Sequence, residues 1–157
     1  MPQQNKFLLP RLGKPTSTIS TSASKTRQQA NRLVNHLNSG AVIALVGELG
    51  AGKTAFVQGL AQGLKIPDLK QVLSPTYTLV NEYTGGRLTL VHIDFYRLRD
   101  AEAAFDLGIE EQIGRPDSIT AIEWADMFPQ LIPNDAIWVE FSRKNSDTRY
   151  LSYRIGE

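Results

Sequence analysis

The sequence predicts an α/β fold with a mixed sheet, on three observations. Residues 41–46, Ala-Val-Ile-Ala-Leu-Val, are apolar without alternation, as in a strand covered on both faces of a sheet. A glycine-rich segment follows at once and leads into Val57, Leu60, Ala61 and Leu64 at helical spacing. Further on, two β-rich runs over residues 77–83 and 87–94 are joined by Thr84-Gly85-Gly86 and read as a hairpin, so at least one strand pair is antiparallel.

Taken in order, residues 1–20 hold Pro2, Pro10 and Pro15 among scattered Ser and Thr, with little apolar periodicity, and read as a flexible basic leader. One domain is expected over residues 21–157. Ala30, Leu33, Val34 and Leu37 share one face of a first helix that starts near Ser24 and stops at Asn38-Ser39-Gly40. The apolar strand 41–46, the glycine-rich turn and the second helix come next, with Gly63 and Pro67 closing that helix. After the hairpin, Asp100 is placed to cap a short helix through Phe105, Gly108 interrupts it, and residues 109–113 continue as another turn before Gly114-Arg115-Pro116. Residues 118–123 form another apolar strand, and 135–141 with 149–155 a final strand pair around a polar loop.

Composition excludes several classes of function. The 157 residues, 41% hydrophobic, suit one globular unit. Seventeen basic against sixteen acidic residues give a net charge of +1, so bulk charge names no partner. The absence of cysteine removes a disulfide scaffold, a thiolate metal site and a cysteine nucleophile together. The longest apolar run is far shorter than the roughly 20 residues a membrane span needs, and the chain reads as cytosolic. Charge is nevertheless segregated: residues 1–40 carry basic side chains and no acid, whereas the stretch from Asp94 to Asp126 is strongly acidic and unsuited to direct RNA contact.

The sharpest signal is Gly47-Glu48-Leu49-Gly50-Ala51-Gly52-Lys53-Thr54, a full match to G-x-x-x-x-G-K-[ST] between a strand and a helix. Glycines let successive N–H groups turn inward toward a polyphosphate, and the helix start adds its positive dipole end. Lys53 supplies a point charge for the β- and γ-phosphates, and the Thr54 hydroxyl is a hard oxygen ligand for Mg²⁺. No aspartate is followed by glycine three residues later, and no Asn-Lys-x-Asp occurs, which disfavours GTP. Asp94 and Glu123 each close an apolar strand run and would emerge at a carboxyl edge, where they can hold a metal or orient water. His92 alternates onto the face of Asp94 and is a candidate partner for that carboxylate. Ser74-Pro75-Thr76-Tyr77 sets a rigid proline between hydroxyls, as in a loop that touches phosphate and moves. Trp124, Phe128 and Trp138 read as core aromatics.

Four blocks in this order resemble the TsaE family of bacterial P-loop ATPases required for the threonylcarbamoyladenosine modification of tRNA: residues 47–54, Ser74-Pro75-Thr76-Tyr77-Thr78-Leu79-Val80, His92-Ile93-Asp94-Phe95-Tyr96-Arg97-Leu98, and Glu123-Trp124. The resemblance spans about residues 22–155. It implies a three-layer P-loop fold with a mixed parallel and antiparallel sheet that binds ATP and Mg²⁺. It makes Leu49, Gly50, Ala51, Gly52, Lys53 and Thr54 the phosphate cradle, with Glu48 beside them among the cofactor-binding residues, Thr54 and Glu123 the Mg²⁺ ligands, and Asp94 the acid working on metal or water. Thr26 lies where the family approaches the adenosine end. The family is also similar in having a late loop with a Gly-Arg pair near the nucleotide; that place reads Asn145-Ser146-Asp147-Thr148-Arg149 here, a departure from the pair, and Arg149 is carried from the resemblance as a cofactor-binding candidate. The implied partners are the threonylcarbamoyl-transferring catalytic subunit and its inactive paralogue, with tRNA met through the complex. The implied activity is slow alone and raised by them, Arg97 or Arg99 being candidate cations in cis. A small-molecule kinase using the same loop, and a nucleotide-dependent binding module, are the competing readings.

Overall fold

The computed structural model describes residues 15–75 and 77–156. Seven strands, β1 (Thr16–Ser20), β2 (Val42–Val46), β3 (Val80–Tyr83), β4 (Thr89–Asp94), β5 (Ser118–Glu123), β6 (Ile137–Arg143) and β7 (Arg149–Ile155), form one sheet in the order β1-β7-β6-β2-β5-β4-β3. The central strands β6, β2, β5 and β4 run parallel, while β3, β7 and β1 add antiparallel edges. The mixed sheet and the hairpin of β3 and β4 agree with the sequence expectation. The leader reading does not hold for its last residues: Thr16–Ser20 is an edge strand paired with β7 from Thr16↔Tyr153 to Ser20↔Arg149. Residues 1–14 lie outside the described residues.

Helices α1 (Ala23–Val34) and α2 (Lys53–Gly63) cover one face of the sheet, and α3 (Ala101–Asp106), α4 (Ile109–Gln112) and two short 3₁₀ turns cover the other. The alternation of β2 divides the core between these layers. Ile43 and Leu45 point to α1 and α2, whereas Val42 and Ala44 point to the opposite cluster with Val91, Ile93 and Phe95. Ser22 caps α1 by accepting from the Lys25 amide, and Asp100 caps α3 by accepting from the Ala103 amide. Helix α1 ends at Val34, earlier than its sequence stop, because the amides of His36 and Leu37 bond three residues back and tighten the chain before Gly40 at φ +89°.

Two glycines set how closely α1 and α2 pack. A Cβ built on Gly59 would stand 2.2 Å from the Arg27 carbonyl oxygen and 2.7 Å from the Ala30 Cβ, and one on Gly63 would stand 3.0 Å from the Asn31 carbonyl. Backbone cannot yield as a flexible side chain can. Gly59→Ala is therefore expected to push the helices apart and cost about 1–3 kcal/mol in urea unfolding. An unchanged midpoint would mean that the pair tolerates the added methyl.

Candidate nucleotide site

The carboxyl ends of three adjacent parallel strands bring the chemistry together. Strand β2 runs into the loop 47–52, β5 ends in Glu123, and β4 ends in Asp94, which is in register with Glu123. The loop owes its path to its glycines. Gly50 and Gly52 adopt φ +76° and +110°, open only to glycine without strain, and a Cβ on Gly47 would lie 2.9 Å from that of Phe141 on β6. Gly52 is also the N-cap of α2 and makes no side-chain cap bond, so the first-turn N–H groups of α2 face the loop.

Lys53 and Thr54 begin α2, and both turn toward the strand ends. The Lys53 ammonium donates to the carbonyls of Gly47 and Glu48 and stands 4.2 Å from the Trp124 ring centroid. The Thr54 hydroxyl lies 2.6 Å from the Ser74 hydroxyl and 3.4 Å from Glu123 Oε1. Ser74 in turn donates to Glu123 Oε2 at 2.9 Å, and His92 Nε2 meets the same oxygen at 2.6 Å. Asp94 accepts from the Tyr96 amide through Oδ1 at 2.8 Å. Lys53, Asp94, Glu123, Ser74, Tyr96 and Trp124, with the loop tip at Leu49 and Gly50, line one cleft of about 230 Å³.

The electrostatics follow from that arrangement. Burial works to raise the Glu123 carboxyl, but the hydrogen bond and attraction of His92, the Ser74 hydroxyl and the Lys53 charge outweigh it and hold the group below the usual carboxylate range. Burial lowers Lys53 below the ordinary lysine value, with the charges of Glu123, Asp94 and Asp126 opposing it. Among the described residues, His92 Nδ1 is buried without a hydrogen-bond partner, so His92 is anchored through its contact with Glu123.

Other sequence candidates fall less directly on the cleft. His92 shares the face of Asp94 as alternation requires, yet its recorded hydrogen bond goes to Glu123. It is in register with Ala121, so Glu123 lies diagonally across on the same face. Thr26 is buried beside the loop, with its hydroxyl engaged by the Ser20 hydroxyl at 2.7 Å and the Ser22 carbonyl. Thr26, Ser22, Gly52, Asp147 and Arg149 line a second hollow of about 410 Å³ adjoining the loop. Arg97 stands over the Tyr77 ring at 4.2 Å and Arg99 faces Asp100, so neither lines the cleft. Ser74, read in the sequence within a turn suited to touching phosphate, bridges Thr54 and Glu123. Arg143, whose guanidinium donates to Gly50 O at 3.3 Å, carries no local signal. Trp124, read as a core aromatic, packs half-buried against the cluster of Val91, Ile93 and Phe95 and also meets Lys53, with a backbone φ of +57°.

Residues 20–151 match the family model for threonylcarbamoyl adenosine biosynthesis protein TsaE. The chain belongs to the TsaE family. It is 44% identical over 108 residues to a tRNA threonylcarbamoyladenosine biosynthesis protein TsaE of Synechocystis, covering 68% of each chain. A protein of the same name from Bacillus subtilis is 33% identical over 134 residues, 85% of this chain and 82% of its own. The fold is also similar to the crystal structure of Bacillus subtilis YdiB, with a TM-score of 0.75 and 28% identity over 91% of this chain and 87% of that one. The matched residues take in the loop, Ser74, Asp94 and Glu123. Among the described residues, no helix is long and apolar enough to cross a membrane.

Proposed function

We propose that the protein is a Mg²⁺-dependent ATPase of tRNA threonylcarbamoyladenosine biosynthesis, slow by itself and activated within a cytoplasmic complex. The observation that carries this reading is the meeting of Thr54, Ser74 and Glu123 beside Lys53 and the glycine loop, with Asp94 in register next to Glu123. The donor set suits the nucleotide and its metal: glycine backbone open to inward N–H groups, a lysine at the helix start, and hydroxyl and carboxylate oxygens, which are the ligands a hard cation takes. Thr54 and Glu123 would hold Mg²⁺, which when bound supplies charge neutralisation on the β- and γ-phosphates.

The chain's own residues do the rest. Lys53 leaves the Gly47 and Glu48 carbonyls to meet a phosphate, and Ser74 gives up its bridge between Thr54 and Glu123. His92 keeps the Glu123 carboxylate oriented and ionised. Asp94, whose Oδ1 accepts from the Tyr96 amide, would orient the attacking water or assist in holding the metal. The partners in this reading are the threonylcarbamoyl-transferring catalytic subunit and its inactive paralogue, and tRNA is met through that complex. Slow turnover of the isolated chain agrees with the placing of Arg97 and Arg99 outside the cleft, since phosphoryl transfer gains from an added cation on the γ-phosphate.

Calorimetric titration with ATP and GTP in Mg²⁺, paired with ADP release with and without the two partner proteins, tests the reading. Preference for ATP with partner-dependent turnover is the expected result. A phosphorylated metabolite formed in stoichiometry with ADP would instead make the protein a kinase.

A further inference from the structure

Arg149 starts β7 and reaches across to the phosphate loop, where, among the described residues, the hydrogen bonds of its guanidinium go to backbone carbonyls. Nε donates to the Ala51 carbonyl at 3.2 Å and Nη2 to the Gly50 carbonyl at 3.2 Å. Nη1 faces the carbonyls of Asn145, Ser146 and Thr148 at 2.8, 3.1 and 3.3 Å. The turn that supplies those three carbonyls has its own framework. Asn145 Oδ1 accepts from the amides of Asp147 and Thr148, and the Lys144 amide bonds to the Thr148 carbonyl. A planar fork thus clips a prebuilt hairpin turn to two successive peptide units of the loop, a task suited to guanidinium and not to ammonium.

The consequence follows from peptide geometry. In a trans peptide the carbonyl and the N–H point in opposite directions across one rigid plane. Holding Gly50 O therefore sets the Ala51 N–H, which donates to Glu48 O inside the loop, and holding Ala51 O sets the Gly52 N–H on the side away from Arg149. Arg143 reinforces the first of these from the end of β6 through its own bond to Gly50 O. We propose that Arg149 is a positioning residue: it aims the phosphate-loop amides by gripping the carbonyls behind them, instead of ligating phosphate itself. The proposal rests on the nucleotide reading of the cleft only for its second readout.

The first readout is hydrogen exchange in the nucleotide-free chain. In Arg149→Lys, and in Arg149→Gln as a second variant, the Ala51 amide, which donates to the Glu48 carbonyl, should exchange about tenfold faster than in the parent, while amides in the middle of β7 keep their protection and report an intact fold. The second is calorimetry with ADP and ATP. Both nucleotides should weaken by one common factor of about tenfold, because the lost element is the shape of the loop and not a contact to one phosphate. Unchanged loop exchange overturns the proposal, as does full affinity in Arg149→Lys, where charge is kept and the fork is lost. A loss much larger for ATP than for ADP overturns it in favour of a γ-phosphate contact. A parent chain that binds neither nucleotide would sink the ATPase reading, and loop exchange would still judge the brace.

Discussion

Glu123→Gln is expected to hydrolyse ATP at least about a hundredfold more slowly than the parent while binding it within about threefold, since even an outer partner of a metal-binding carboxylate is commonly worth 10–100-fold. Glutamine keeps the volume and an acceptor for Ser74 but removes the charge that His92, Ser74 and Lys53 all face. The preserved shape is what separates this variant from Glu123→Ala, which would leave those polar groups facing a void. Single-turnover ADP release with saturating ATP measures the effect, and calorimetry measures the binding. A matched collapse of both, with the circular dichroism melt unchanged, would mean that Glu123 holds the nucleotide and does not serve its hydrolysis.

The same substitution carries a pH signature. Glu123 has a folded-state pKa below its ordinary value, so its ionised form adds stability at pH values above the unfolded pKa, and that stability is lost as pH falls through the folded value. The gap in unfolding free energy between the parent and Glu123→Gln should thus be widest near neutrality and should narrow in acid. A gap that stays constant would place the cost in packing and not in charge.

Local features of the chain were legible and long-range ones were not. The strand, loop and helix over residues 42–63 are contiguous, and periodicity with glycine chemistry is enough to read them. Asp94 and Glu123 could each be read as strand-end acids, but their adjacency depends on β4 and β5 being neighbours in the sheet, which no local pattern encodes. The same reason hid the partner of His92. Alternation assigns a face correctly, and only the register of the neighbouring strand says which carboxylate on that face is met. Strand β1 escaped notice because Thr16–Ser20 is short, half-polar and an edge, and its pairing partner β7 lies at the far end of the chain. Arg149 is the clearest case: the family resemblance suggests a nucleotide-side role, whereas two of its hydrogen bonds join its own turn to loop carbonyls 98 and 99 residues away in sequence.

Lys53→Met should weaken ATP by about 10- to 100-fold, from the worth of a charged hydrogen bond, with the lower end favoured by what the amine does before ligand arrives. Its ammonium already holds the Gly47 and Glu48 carbonyls and lies on the Trp124 ring, so binding exchanges those contacts for a phosphate and gains only the difference. Methionine preserves the apolar stem against Trp124 without the charge. That exchange gives the site an optical reporter. In a Trp138→Phe background Trp124 is the sole indole, and its emission should change on ATP addition as the cation withdraws from the ring. In the doubly substituted chain, Lys53→Met with Trp138→Phe, saturating ATP should leave most of that change absent. If affinity falls but the emission change persists undiminished, nucleotide reaches Trp124 by another route, and the resting contact between Lys53 and the ring is not what ATP displaces.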